Sequence, residues 1–250
     1  MREGAGPLLE IAANSLASAL AAQEGGADRI ELCASLGEGG LTPSYATIAL
    51  VRERLAIPVY VLIRPRAGDF LYHDFEIETM CHDIEACARL GCDGVVIGAL
   101  DADGNVAIDK CRTLIAATGS LGVTFHRAFD LTRDANAALE DIIVLGCKRV
   151  LTSGQASSAS EGVAAIRTLI AQANGRIAIM PGAGINSANI AAIRGATGAD
   201  EFHASAKRTR TSAMHWRPNR LIDMQGGELR SDCDEIWQMR AALSRAVRAT

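Results

Sequence analysis

The sequence is short of aromatic residues, which fill 4% of its 250 positions, and shorter still of lysine, found only at Lys110, Lys148 and Lys207. The core must therefore be built mainly from alanine, isoleucine, leucine and valine. Schiff-base chemistry needs a lysine at the reacting end of a strand, and only Lys207, beyond the last strand, is near one. No H-x-x-x-H or H-E-x-x-H occurs, which removes a local zinc site. No run approaches the roughly 18 apolar residues of a membrane span. The segment from Met1 to Pro7 lacks the apolar stretch of a secretion signal. The net charge of −4 lacks the positive excess that duplex binding requires. The expectation is a cytoplasmic protein with no membrane and no nucleic-acid partner. The seven cysteines (Cys33, Cys81, Cys87, Cys92, Cys111, Cys147 and Cys233) form no C-x-x-C. In a reducing compartment most of them read as small buried hydrophobes.

Short β-branched runs alternate with alanine-rich amphipathic stretches. Strands are expected at Leu8–Ala12, Arg29–Cys33, Val59–Arg64, Gly94–Gly98, Val123–Ala128, Arg149–Thr152, Ile177–Met180 and Glu201–Ser205. Helices are expected at 15–24, 44–54, 75–90, 109–118, 134–145, 160–173 and 187–194. Such alternation predicts a parallel sheet, and eight strands are the number that closes a barrel. The fold class is α/β, a (β/α)₈ TIM barrel, with a doubly wound open sheet as the alternative. One domain covers 1–250: the barrel over about 8–206, then a long loop after strand eight and a C-terminal helix within 207–250. That loop, from Ala206 to about Ser231, carries Lys207, Arg208, Arg210, Arg217 and Arg220 against Asp223 and Glu228. A loop of this length reads as a lid or a tail.

A barrel places its substrate site at the C-terminal ends of its strands. Glu10, Glu31, Cys33, Arg64, Arg66, His126, Asp130, Thr152, Ser153, His203 and Ser205 all fall there. Residues two apart on a strand share a face, so Glu31 should lie beside Cys33, and Arg64 beside Arg66. Ionisable groups inside apolar strands mark either a reactive site or a buried ion-pair network. In the first case Glu10, Glu31, His126 and His203 supply general acid and base, and Arg64 with Arg66 clamps a carboxylate or phosphate. Pro181-Gly182-Ala183-Gly184 offers backbone amides to an anion, and Thr152-Ser153-Gly154 adds donors. Gly182 and Gly184 are thus substrate-binding candidates beside Asp130, Thr152, Ser153 and Ser205. A non-catalytic scaffold that binds a partner is a third reading.

The strand ends carry a set of phrases in order: Gly26-Ala27-Asp28-Arg29-Ile30-Glu31-Leu32-Cys33, Ile63-Arg64-Pro65-Arg66 with Gly68-Asp69-Phe70, Phe125-His126-Arg127-Ala128-Phe129-Asp130, Leu151-Thr152-Ser153-Gly154, and Glu201-Phe202-His203-Ala204-Ser205-Ala206. Together they resemble the CutC copper homeostasis family, from about Leu9 to Arg208. The resemblance implies a (β/α)₈ barrel, a cytoplasmic location, self-association as a dimer or tetramer, and binding of copper(I). Cys33 is the metal ligand it implies. Ala12 stands where some members carry a second cysteine on strand one, and Gln155 where many carry a glycine. Two expectations follow: a copper-binding homeostasis protein, or an enzyme acting on a small anionic metabolite.

Overall fold

The structure, a computed structural model, describes residues 6–216 and 227–247. Eight parallel strands form one sheet: β1 (Leu8–Ala13), β2 (Arg29–Leu32), β3 (Val59–Leu62), β4 (Gly94–Ile97), β5 (Gly122–Phe125), β6 (Arg149–Thr152), β7 (Ala178–Pro181) and β8 (Glu201–Ala204). Their order is 7-6-5-4-3-2-1-8. β1 bonds to both β2 and β8, with Glu10 opposite His203. That pairing curls the sheet on itself, and β7 comes to lie beside β8 at a seam that no ladder closes. Helices α1 (Leu16–Glu24), α2 (Tyr45–Arg54), α3 (Asp74–Arg89), α4 (Ile108–Ala117), α5 (Ala135–Val144), α6 (Val163–Ala173) and α7 (Ile190–Thr197) follow β1 to β7 in turn. The expected (β/α)₈ architecture is the one found, in preference to an open doubly wound sheet.

Alternation along each strand divides the interior in two. Leu9, Ile11, Ile30, Leu32, Val59, Val61, Val95, Ile97 and Phe125 face outward and pack under the helices in one continuous core. The inward positions at the lower end of the barrel are mainly polar, whereas Leu62, Val96 and Leu151 face the interior above them. Glu201 accepts from Arg29 Nη2 at 3.0 Å and Arg149 Nε at 2.9 Å, and Arg149 Nη1 donates to Thr124 Oγ1 at 3.0 Å. The two guanidiniums lie 5.0 and 4.8 Å from the centroid of the Tyr60 ring. Tyr60 reaches across to β4 and β5, where a Cβ on Gly94 or Gly122 would come within 2.2 Å of it. Glycine at those two strand positions is what lets one large ring fill the barrel floor.

Several expected boundaries move. β5 stops at Phe125, and His126 opens a 3₁₀ turn, Arg127–Leu131, instead of continuing the strand to Ala128. The cause is local: His126 Nδ1 accepts the Ala128 N–H at 3.1 Å and turns the chain. α7 starts at Ile190, not Ser187, because Asn186 Oδ1 and Asn189 Oδ1 capture the Ala188 and Asn186 amides at 2.9 Å each. The long loop after strand eight begins and ends as an antiparallel pair, β9 (Lys207–Arg210) with β10 (Glu228–Ser231). Arg217, Arg220 and Asp223 lie outside the described residues. The last helix, α8 (Cys233–Val247), buries Ile236, Met239 and Leu243 against the barrel.

Candidate functional site

Above the charged floor, at the C-terminal ends of the strands, the barrel opens into a cavity of about 390 Å³. Glu31 and Cys33 of the β2 end, Arg64 after β3, His126 after β5, His203 of β8, Ser205 and Lys207 supply its polar wall. Ala12, Leu36, Leu62, Phe70, Leu151 and Ile185 supply the apolar part. A concave, mostly apolar chamber with a few convergent polar groups suits a small molecule.

His203 stands at the centre of the ionisable set. Its Nδ1 donates to Glu10 Oε1 at 2.8 Å, which leaves Nε2 turned toward Glu31 Oε2 at 3.8 Å. The other oxygen of Glu10 is held by Arg29 Nε. Burial alone would keep Glu10 protonated, but Arg29, His203 and Arg149 outweigh it and hold its carboxyl far below the usual range. Glu31 lacks such a partner. Burial, reinforced by the Glu10 charge and opposed by His203, pushes its carboxyl up to about 7. For His203 burial favours the neutral ring, yet the Glu31 and Glu10 carboxylates prevail and raise it. The pair Glu31–His203 therefore keeps a proton near neutral pH, and a carboxylate that never lets go of Arg29 orients it from behind. That is the arrangement of an oriented acid–base group. Glu10 does not reach the cavity wall, so its place is behind the reacting groups and not among them.

The opposite wall is different. Arg64 is 6% exposed and gives Nη1 to the carbonyls of Glu38 and Gly40, at 2.9 and 2.8 Å, and Nη2 to that of Gly68, at 2.8 Å. Gly39 and Gly40, at φ of 84° and 92°, turn those carbonyls inward, a geometry that suits glycine. Its Nε has no partner, and among the described residues no carboxylate pairs with its charge. The guanidinium lies 5.2 Å from the centroid of Phe70, whose ring lies 4.8 Å from that of His126. Burial first, then Arg64, pushes the His126 imidazole down to about 3.

Other expected site residues are placed elsewhere. Arg66 does not join Arg64 in a clamp. β3 ends at Leu62, the alternation is lost, and Arg66 turns to Glu76 at 2.6 Å and Asp69 at 3.1 Å. Asp130, Thr152 and Ser153 bind one another, and Arg127 Nε also donates to Asp130 at 2.7 Å. Asp130 accepts from Thr152 Oγ1 at 2.5 Å, from the amides of Ser153 and Gln155, and from Ser153 Oγ at 3.0 Å. The donors after β6 are thus spent on the protein's own carboxylate. Gly184 lines the cavity, whereas Gly182 makes room beneath it: a Cβ there would meet Leu151 at 2.4 Å. Polarity at strand ends does not single out Phe70, Lys207 or the apolar lining, all of which the cavity includes. The signal for Phe70 was its place in the Gly68-Asp69-Phe70 phrase.

Two metal readings can be tested on this geometry. One ligand atom each of Glu10, Glu31 and His203 lies within 4.8 Å of the others. Arg29 and the His203 Nδ1–H already occupy both oxygens of Glu10, however, and a cation there would meet the Arg29 charge. Copper(I) is soft and seeks thiolates, often two. Cys33 is the one cysteine in the cavity wall, and burial followed by the Glu31 charge pushes its thiol well above the ordinary value. Cys87, Cys92, Cys111 and Cys147 belong to the core under the helices. The donor set does not fit copper(I).

Residues 7–208 match the family model described as CutC family. A family protein CutC of Xylella fastidiosa is 57% identical over 240 residues, covering 96% of this chain and 90% of that one. The copper homeostasis protein cutC homolog of Homo sapiens is 52% identical over 212 residues, covering 85% of this chain and 78% of that one. The crystal structure of the putative copper homeostasis protein CutC from Streptococcus agalactiae superposes with a TM-score of 0.76 at 33% identity, over 79% of this chain and 97% of that chain. The chain belongs to the CutC family.

Proposed function

We propose that this protein is an enzyme that binds a small anionic metabolite in the barrel mouth and moves a proton on it. The observation that carries the reading is the Glu10–His203–Glu31 row: a buried carboxylate fixes Nδ1 of an imidazole whose Nε2 faces the second carboxylate, Glu31, in a cavity wall. Glu31 serves as base, His203 as its proton-sharing partner, and Glu10 with Arg29 as their orienting support. Arg64, buried without a carboxylate, supplies the charge that an anionic ligand would neutralise.

The copper reading has one structural observation in its favour, the place of Cys33 in the cavity wall. Ala12 lines the same cavity and stands opposite Glu31 in the β1–β2 register, so a cysteine there would supply the second thiol. Anaerobic copper(I) titration against a competing chelator separates the readings. We expect weak binding in the wild type, no change in Cys33→Ser, and marked tightening in Ala12→Cys. Tight stoichiometric binding by the wild type, lost in Cys33→Ser, would replace the enzymatic reading with a copper one. In parallel, thermal-shift measurement against small carboxylates and phosphate monoesters should find stabilising ligands whose effect is lost in Arg64→Met. All seven cysteines are free, which supports work in a reducing compartment such as the cytoplasm.

A further inference from the structure

The wall formed by Arg64, Phe70 and His126 has no role in proton transfer by Glu31 and His203, yet two of its buried nitrogens, Arg64 Nε and His126 Nε2, have no partner among the described residues. The state of His126 follows from a hydrogen bond. Nδ1 accepts the Ala128 amide, so it carries no proton, and the neutral ring must carry its proton on Nε2. His126 is 4% exposed, and among the described residues its Nε2–H finds no acceptor. A buried donor left unmade costs about 1–3 kcal/mol, which a folded protein seldom tolerates unless a ligand completes the bond. Room for the ring is provided deliberately: a Cβ on Gly98 would lie 2.6 Å from its atoms. Arg64 beside it discourages a second proton on the ring, in keeping with an imidazole that stays neutral.

We propose that His126 is the carbonyl-polarising group of this site, and that the ligand is a small anionic compound carrying a carbonyl group. The neutral Nε2–H donates to the carbonyl oxygen, with the Arg64 charge close by. Glu31 and His203, across the cavity, take the proton from the carbon next to the carbonyl. The C–H bond breaks, its electron pair enters a new C=C bond, and the carbonyl π pair moves onto the oxygen, where His126 stabilises it. In a hydroxycarbonyl compound the neighbouring hydroxyl then passes its proton to that oxygen, its O–H pair forms the new C=O bond, and the C=C pair takes the carbon-bound proton back at the former carbonyl carbon, an isomerisation that needs no oxidant, reductant or co-reactant. A neutral imidazole opposite a carboxylate base is a known division of labour for such enolisations. The assignment rests on the acid–base reading above for the proton transfer, but not for the carbonyl contact.

The test uses the full-length protein and two matched pairs of probes at millimolar concentration: pyruvate with lactate, and dihydroxyacetone phosphate with glycerol 3-phosphate. Each pair shares its anion and differs in the carbonyl, and the pairs distinguish carboxylate from phosphate. Nitrogen-15 NMR of the histidine rings reads the tautomer and the contact, and deuterium uptake from heavy water reads the proton transfer. We expect His126 to be neutral with its proton on Nε2. At least one carbonyl compound, and not its alcohol, should shift that resonance and take up deuterium beside the carbonyl. Uptake should fall at least 100-fold in His126→Ala and be partly restored in His126→Asn, which keeps a donor. A proton on Nδ1, or no shift with any probe, overturns the proposal, and neither result depends on a variant that folds. Uptake that ignores His126 also overturns it while leaving the acid–base reading intact. A shift at His126 with no uptake in the wild type upholds the carbonyl subsite and sinks the acid–base reading.

Discussion

Glu31 is a single residue on which stability and chemistry pull in opposite directions. Unfolded, its carboxyl ionises near the ordinary value of 4.5, whereas in the fold it holds its proton up to about 7. Between those values the unfolded chain sheds the proton first, so stability falls as pH rises through that window and stays lowered above it. Glu31→Gln removes the loss. The variant should match the wild type near pH 4 and exceed it at pH 8, by on the order of 1–3 kcal/mol in urea denaturation, while losing proton-transfer activity. An unchanged or lowered stability at pH 8 would contradict the burial argument. Glu31, Arg64 and His203 were legible in the sequence because ionisable side chains stood at inward positions near strand ends. Arg66 was misread because period-two alternation ends with the strand. The engagement of Asp130 was half legible: Arg127 lies three residues away, but Thr152 and Ser153 lie more than twenty residues along the chain. Tertiary proximity of that kind leaves no local pattern.

Among the elements, β3, β4 and β5 are held in register by one interior ring. Tyr60 occupies the space that side chains on Gly94 and Gly122 would otherwise fill. Neither glycine has a positive φ, so the need for it is steric and not conformational. Gly94→Ala should cost about 3 kcal/mol, at the upper end for an overpacked core. In the background of Tyr60→Ala the same change should cost far less, and a double-mutant cycle by chemical denaturation measures that coupling. Additive costs would mean that the ring is not the obstacle. Strand and helix order was readable from alternating apolar runs, and boundaries were not. They are set by single side chains that capture backbone amides, such as His126 and Asn186, and any polar residue near a strand end could have done so.

The whole molecule depends on its eighth helix, which reaches its place between α7 and α1 only after the long loop that follows β8. α8 places Ile236, Met239 and Leu243, each fully buried, against the barrel, and Ile236 presses where Gly25 has no side chain. At about 1.5–3 kcal/mol for each buried side chain, these three contribute an amount comparable to the 5–15 kcal/mol of a whole domain. A chain ending before Cys233 should lose its cooperative thermal transition in circular dichroism, and retention of a sharp transition would show that the barrel stands alone. The charged floor also shapes traffic. Arg29, Arg149, Glu201 and Tyr60 plug the lower end, so among the described residues the barrel is a cup that opens at its upper end. Whatever enters must leave by the same route before the next molecule can enter, and a product lingering there competes directly with incoming substrate.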